Sequence, residues 1–236
     1  QLGALHAVLS FWTTGSTEPA TVVMPTGTGK TETMVALLVA ERPQRLLVVV
    51  PSDVLRTQIA SKFESFGVLQ QYGVVAPSAL RPVVGRIAHA FSCVDAAREF
   101  AERCNVIVTT PTALFASEPH VRKVLLEMCS HLFVDEAHHV EAKTWSRIRD
   151  VFEGKPIVQF TATPYREDGK RLAGRIIYTF PLRQAQQQKY FSRINYISVT
   201  DFGNLDRAIA SRAIAKLRED CAAGLDHLLM ARAMRI

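Results

Sequence analysis

The sequence of 236 residues predicts an α/β fold in which a parallel β-sheet is flanked by helices on both faces. Two features of the sequence lead to this prediction. Short apolar runs without polar alternation indicate strands that are buried on both sides. Helical patterns separate these runs, and strand–helix alternation with right-handed crossovers gives a doubly wound sheet. A composition of 48% hydrophobic and 21% charged residues is typical of a globular chain with a large core.

The predicted strands share a near-continuous content of Val, Ile, Leu and Phe. They are residues 21–24, 45–51, 105–110, 131–136 and 156–163. The helices predicted between them are residues 30–42, 52–66, 94–104 and 120–129. The first of these helices ends before Pro43, which cannot continue a helix. The second begins at Ser52 and Asp53, which are both good N-terminal caps.

The strand–helix pattern weakens after about residue 165. Residues 191–200 alternate like an extra strand, and residues 205–224 predict an amphipathic helix. Residues 227–234 then resemble a new buried strand. We therefore predict a first domain over residues 1–200 and, over 201–236, a linker helix and the first strand of a truncated second domain. Gln1 is not a natural start, so the presence of a removed upstream segment stays open.

The segment `PTGTGKT` (25–31) has the composition of a phosphate-binding loop, with a predicted strand before it and a predicted helix after it. Its glycines let the backbone approach phosphates, Lys30 would reach the β- and γ-phosphates, and the Thr31 hydroxyl would bind Mg²⁺. Met24 replaces the first glycine of the usual pattern, but it lies at the strand end, outside the phosphate cradle. We therefore predict a site for ATP and Mg²⁺, in preference to a turn with an accidental Lys-Thr. The nucleotide-binding residues of this loop are Thr26, Gly27, Thr28, Gly29, Lys30 and Thr31, and Lys30 is also assigned to catalysis.

A later apolar run ends in two adjacent carboxylates, Asp135 and Glu136. Ligand sites in open α/β sheets lie at the carboxyl ends of strands, so these side chains are expected beside the phosphate loop. Asp135 fits the role of a Mg²⁺ ligand, and Glu136 could polarise a water for attack on the γ-phosphate. His138 and His139 invite a zinc hypothesis, but no third ligand is evident. A polar contact that couples the nucleotide site to a neighbouring domain is favoured for His138.

These motifs, in this order, resemble those of superfamily 2 helicases and translocases, specifically the DEAH-type group related to type III restriction subunits. The resemblance covers nearly all of residues 1–200 and implies a RecA-like P-loop NTPase fold for that domain. The matching segments are `MPTGTGKT` (24–31), `VVVPSDVLRTQ` (48–58), `VTTPTAL` (108–114), `VDEAHH` (134–139) and `FTATPYRED` (160–168).

The resemblance also implies roles for single residues. Gln1 resembles a glutamine that contacts adenine, and Thr161 and Thr163 fall in a segment that couples the nucleotide state to strand movement. The residues that fall in segments contacting the nucleic-acid backbone are Ser52, Arg56, Thr110 and Pro111. Structural roles stay open for two of them, because Ser52 is also a helix cap and Pro111 is also a turn former.

The function that the resemblance implies is an ATP-dependent helicase or translocase, in which ATP binding and hydrolysis are coupled to movement on a nucleic acid. The motif segments 25–27 and 161–166 look more like those of the duplex-DNA group than those of DEAH-type RNA helicases. Two alternatives use the same motifs and stay open: a nucleotide-gated nucleic-acid-binding switch, and a restriction-system motor that does not separate strands. Subunits of a restriction or defence system are then the expected protein partners.

The resemblance further implies that the chain by itself binds ATP or ADP weakly and hydrolyses ATP slowly. In this superfamily the arginine finger comes from the second RecA-like domain, and such a finger typically adds about 10³–10⁵ in rate.

Charge and cysteine content bear on partners and location. The formal net charge of +6 falls entirely within residues 165–236, which a polyanion partner would explain, although charge alone slightly favours a solvated face. No run of about 18 apolar residues is present, so no membrane span is expected. The four cysteines are widely spaced and are interpreted as reduced thiols of a cytoplasmic protein.

Overall fold

The computed structural model describes residues 1–137, 142–165 and 172–191. In these residues, seven strands form one sheet in the order β3-β4-β2-β5-β6-β1-β7, and every neighbouring pair is parallel. The strands are β1 (Ala20–Val23), β2 (Leu46–Val49), β3 (Val84–Ile87), β4 (Val106–Thr109), β5 (His131–Asp135), β6 (Ile157–Thr161) and β7 (Arg175–Thr179). The predicted fold class is therefore confirmed.

Helices connect the strands and lie on both faces of the sheet. They are α1 (Leu2–Thr13), α2 (Lys30–Glu41), α3 (Asp53–Glu64), α4 (Val68–Gln71), α5 (Val94–Glu102), α6 (Pro111–Ala116), α7 (Pro119–Glu127), α8 (Ala142–Val151) and α9 (Leu182–Gln187). All the predicted strands between residues 21 and 163 are present, as are the predicted helices between residues 30 and 129.

Two apolar clusters, one on each face of the sheet, form the core. Along β2, the side chain of Val48 packs into the cluster that holds α1, α2 and α3. Its neighbours Leu47 and Val49 pack into the opposite cluster, with residues of α5, α6, α7 and α8. This alternation explains the sequence pattern, because a strand that is covered on both faces needs an apolar residue at every position.

Two strands of the sheet were missed by the sequence analysis, and both are edge strands. β3 carries Gly85 and an exposed Arg86, and β7 is only partly buried. An edge strand has fewer neighbours to bury it, so its apolar signal is weaker. The helix α1, before the phosphate loop, was also not predicted.

Several sequence predictions lie outside the described residues. These are the strand at 191–200 beyond its first residue, the helix at 205–224, the strand at 227–234 and the boundary of the second domain. Within the described part of the chain, no helix is long and apolar enough to cross a membrane. The three cysteines found there, Cys93, Cys104 and Cys129, are all free thiols.

Candidate functional site

The carboxyl ends of three adjacent strands bring the predicted nucleotide-binding motifs together. β6 pairs in parallel with β1 on one side and with β5 on the other. The phosphate loop follows β1, the acidic pair ends β5, and Thr161 ends β6. Since parallel strands end at the same edge of a sheet, these three segments meet there.

The phosphate loop leads directly into the N-terminus of α2. Gly27 and Gly29 have φ values of 84° and 92°, a left-handed backbone that favours glycine. The hydroxyl of Thr28 donates to the carbonyl of Pro25 at 2.7 Å and closes the turn. Lys30 is the first residue of the helix, so the N–H groups of its first turn and its dipole favour an anion at the loop.

Met24 belongs to the core of the sheet. Its side chain is fully buried. Its backbone N–H donates to the carbonyl of Thr161 at 2.9 Å, which continues the pairing of β1 with β6 past the last residue of β1. The position of the replaced glycine is therefore a packing position in this fold, and the turn begins only after it.

Lys30 and Glu136 form a buried ion pair at the mouth of the loop. The Nζ atom of Lys30 donates to Oε1 of Glu136 at 2.5 Å, and the two side chains are only 8% and 16% exposed. Glu136 has a φ of 47°, a left-handed conformation that is unfavourable for a residue with a side chain. The catalytic candidates thus contact each other in a backbone turn that follows β5 directly.

Asp135 is the most strongly perturbed carboxyl group of this site. It is 5% exposed, and burial together with the neighbouring Glu136 charge raises its pKa to about 6, although Lys30 and the backbone N–H of Glu136 oppose the shift. Its Oδ1 atom is buried and has no hydrogen-bond partner among the described residues. A bound cation would compensate this oxygen, which otherwise carries a desolvation penalty.

The residues at this edge fit a magnesium ion bound with a nucleotide. Mg²⁺ prefers oxygen ligands and typically takes one or two from the protein, with waters and substrate phosphates completing its shell. Asp135 and the half-buried hydroxyl of Thr31 would be those ligands. No group of three or more His, Cys, Asp or Glu residues suited to a metal occurs in the described parts of the chain. His138 and His139 lie outside those parts, so the zinc alternative and the coupling role of His138 stay predictions.

Gln1 contacts the phosphate loop. Its Nε2 atom donates to the carbonyl of Thr28 at 3.2 Å. A Cβ atom added at Gly29 would lie 2.1 Å from the same nitrogen, so the glutamine side chain fills the space over this glycine. Contact of Gln1 with adenine remains a prediction.

Thr161, in the segment 160–168, is hydrogen-bonded to the start of the phosphate loop. Its Oγ1 donates to the carbonyl of Thr163 at 2.6 Å and accepts the N–H of Thr163 at 3.2 Å. Its own carbonyl accepts from Met24, at the root of the loop. This hydrogen bond joins the turn after β6 to the strand that carries the loop. The coupling role of Thr161 and Thr163 stays a prediction.

The residues predicted to contact nucleic acid lie at the ends of β2 and β4, and they have local structural roles. Ser52 caps α3, its Oγ accepting the N–H of Leu55 at 3.4 Å. Thr110 caps α6, its Oγ1 accepting the N–H of Ala113 at 3.2 Å, and Pro111 is the first residue of that helix. The Nη1 atom of Arg56 donates to Asp53 at 2.7 Å. Their contact with nucleic acid stays a prediction.

Two arginines that no sequence pattern indicated lie near this second group. The guanidinium carbons of Arg122 and Arg147 lie 4.3 Å and 6.0 Å from the ring centroid of Phe115, near the end of α6. No motif contains them, and only the tertiary fold brings their helices together.

A family model described as type III restriction enzyme, res subunit, matches residues 1–166 of the chain. No curated protein sequence matches it. Among solved structures, a nuclease-deletion mutant of the Type ISP restriction-modification enzyme LlaGI, in complex with a DNA substrate mimic, is 16% identical with a TM-score of 0.52. That similarity covers 93% of this chain and 22% of the LlaGI chain, and it shows a shared fold.

Two further structures have lower similarity. UvsW of T4 is 18% identical with a TM-score of 0.49, covering 73% of this chain and 33% of its own. A hypothetical ATP-dependent RNA helicase from Sulfolobus tokodaii is 19% identical with a TM-score of 0.47, covering 69% and 46%. The chain therefore spans between 22% and 46% of the length of these three relatives.

Proposed function

This chain belongs to the family of the type III restriction enzyme res subunit, and on that premise we propose that it binds Mg-ATP and hydrolyses it as the first RecA-like domain of a nucleic-acid helicase or translocase. The observation that carries this proposal is the buried group of Lys30, Asp135 and Glu136 beside the phosphate loop. A cation, a partly unsatisfied carboxylate and a second carboxylate at a helix N-terminus are the groups that phosphoryl transfer from ATP needs.

The geometry supports a division of work among these residues. The N–H groups of the loop and Lys30 would bind the β- and γ-phosphates, so Lys30 must exchange Glu136 for phosphate oxygens when ATP binds. Glu136 is then released at the end of β5, where it can orient a water and accept its proton. Asp135 and Thr31 would hold Mg²⁺, which when bound neutralises charge on the β- and γ-phosphate oxygens.

We propose duplex DNA as the nucleic-acid partner. The form of the motif segments at 25–27 and 161–166 supports this choice. The LlaGI structure that shares the fold contains a DNA substrate mimic. A cytoplasmic location and a role beside other restriction or defence subunits belong to the same proposal, and the free thiols of Cys93, Cys104 and Cys129 agree with a reducing compartment.

We also propose that full turnover requires a second RecA-like domain. Residues at this edge supply phosphate binding, metal binding and a base, whereas an arginine finger would have to come from outside the described residues. Its typical contribution of about 10³–10⁵ in rate predicts slow hydrolysis by the 236-residue chain alone. Rapid, DNA-stimulated turnover by this chain would contradict that part of the proposal.

An ATPase assay beside a strand-displacement assay tests the function. We expect ATP hydrolysis that duplex DNA stimulates, in the chain joined to its second domain. Displacement of a labelled strand identifies a helicase, whereas stimulation without displacement identifies a translocase or a nucleotide-gated switch. Absence of Mg-ATP binding at micromolar to millimolar nucleotide would contradict the proposal as a whole.

A further inference from the structure

The arginine pair, Arg122 of α7 and Arg147 of α8, shares one aromatic ring. Their guanidinium carbons lie 4.3 Å and 6.0 Å from the centroid of Phe115 in α6. The Nη1 atom of Arg122 also donates to the carbonyl of Ser117 at 2.9 Å, which fixes the direction of that side chain. Three helices thus converge to place two cations beside each other.

The pair has little negative charge to balance it. Burial lowers the pKa of Arg122, the neighbouring charge of Arg147 lowers it further, and Glu118 opposes these effects only in part. Among the described residues, no carboxylate lies within ion-pair distance of either guanidinium. Neighbouring cations on the same face of the domain are paired instead, Arg98 with Asp95 and Lys123 with Glu127. Two adjacent like charges without a counter-charge in this part of the chain favour an external anion.

The position of the pair connects it to the predicted nucleic-acid edge. Phe115 lies one helical turn after Pro111, so the two residues are on the same side of α6. Thr110 and Pro111 start this helix at the carboxyl end of β4. Ser117, which orients Arg122, also accepts the backbone N–H of Phe91 from the loop after β3, at 3.0 Å. The pair therefore extends the edge formed by the ends of β2 and β4.

We infer that Arg122 and Arg147 form a binding site for backbone phosphates of a nucleic acid, next to the segment that starts α6. This inference rests on the proposed function and names a contact surface that the sequence motifs do not include. Guanidinium groups suit phosphate oxygens because their planar N–H groups can donate two parallel bonds. The guanidinium of Arg122 covers one face of the Phe115 ring. Contacts to backbone phosphates carry no sequence information, so the site would bind without recognising sequence.

Fluorescence anisotropy of a labelled duplex DNA, titrated with the 236-residue chain at several salt concentrations, tests the site. Arg147→Gln is the first variant, because Arg147 is exposed and its replacement should leave the fold intact. We expect about a tenfold weaker affinity, and a slope of log affinity against log salt that is smaller by about 0.9 because one phosphate is no longer neutralised. Arg122→Lys keeps the charge but removes the planar fork, and we expect a smaller decrease in affinity.

Lys123→Gln and Arg98→Gln are the matched controls, since each removes one positive charge that already has a carboxylate partner. Both should bind within about twofold of the wild type. Wild-type affinity and salt slope in Arg147→Gln and Arg122→Lys, or equal decreases in the controls, would overturn the inference.

Binding of a fluorescent ATP analogue is measured on the same samples. If nucleotide binding persists while the arginine variants bind DNA normally, only the arginine site fails; if nucleotide binding is absent, the proposed function fails.

Discussion

The two halves of the carboxyl edge, at β1, β6 and β5 and at β2 and β4, hold their motif residues in different environments. At the ends of β1, β6 and β5, Lys30, Asp135 and Glu136 are charged groups in a buried site, one with a raised pKa and one in a left-handed backbone conformation. At the ends of β2 and β4, Ser52 and Thr110 complete the first turns of helices. Asp135 in the first group carries a desolvation penalty, whereas the caps of the second group contribute stability. The buried Oδ1 of Asp135 has no hydrogen-bond partner among the described residues, so Asp135 is a stronger candidate for ligand contact than Ser52 or Thr110, whose hydroxyls already have partners.

The largest expected effect is on catalysis in the nucleotide half. Glu136→Gln should lower ATP turnover by about 10²–10⁴-fold while ATP still binds, because the amide cannot accept a proton from water. A steady-state phosphate-release assay on the full-length protein measures the change. Glu153→Gln, which alters an exposed glutamate after α8, is the control and should leave turnover unchanged. Wild-type turnover in Glu136→Gln would remove this residue from the site.

Replacing Met24 by glycine should have the next largest effect, which is a loss of stability. Met24→Gly removes a fully buried side chain, and the cavity together with added backbone freedom should lower the free energy of unfolding by about 3–5 kcal/mol. Met24→Leu, which nearly preserves volume, should lower it by less than about 1.5 kcal/mol. Urea denaturation compares the two variants. A stabilised or unchanged Met24→Gly chain would mean that this position belongs to the phosphate cradle after all.

Asp135→Asn should raise the stability of the free chain and remove the Mg²⁺ dependence of nucleotide binding. A carboxyl whose pKa rises on folding, here from 3.8 to about 6, contributes stability that is fully present below pH 3.8 and is lost as the pH rises through about 6. At neutral pH the neutral amide should therefore raise the free energy of unfolding by about 2–3 kcal/mol in the absence of nucleotide. Thermal melting measures this gain, and a fluorescent ATP analogue should lose its Mg²⁺ dependence of binding. A destabilised variant would show that the Asp135 charge is well compensated in the free chain.

The smallest effect is expected at the helix caps of the other half. Thr110→Ala removes an N-cap and should lower the free energy of unfolding by about 1 kcal/mol, whereas Thr110→Ser keeps the hydroxyl and most of the stability. Duplex DNA affinity, measured well below the melting temperature, then decides whether Thr110 has a second role. Equal affinities of Thr110→Ala, Thr110→Ser and the wild type would leave Thr110 with the capping role alone.

The contrast also shows which parts of the molecule the sequence could predict. Strands covered on both faces, such as β2 and β4, were recognised because nearly every position is apolar, whereas the edge strands β3 and β7 were missed. The nucleotide residues were found because one loop and one strand end contain them in a recognisable order. The arginine pair could not be found in this way, because α7 and α8 lie apart in sequence and carry no shared pattern. The contact between Lys30 and Glu136 likewise depends on the strand order, which places β6 between β1 and β5.

Calorimetric titration of the chain with ATP, in the presence and absence of Mg²⁺, tests the central claim most directly. The wild type should bind with Mg²⁺ and more weakly without it. Lys30→Ala should lower the affinity at least about tenfold, because it removes the charged donor to the phosphates. Lys62→Ala, whose lysine in α3 pairs with Glu32 of α2, is the control and should bind as the wild type does. Equal affinity of Lys30→Ala and the wild type, or binding that is indifferent to Mg²⁺, would contradict the assignment of the nucleotide half.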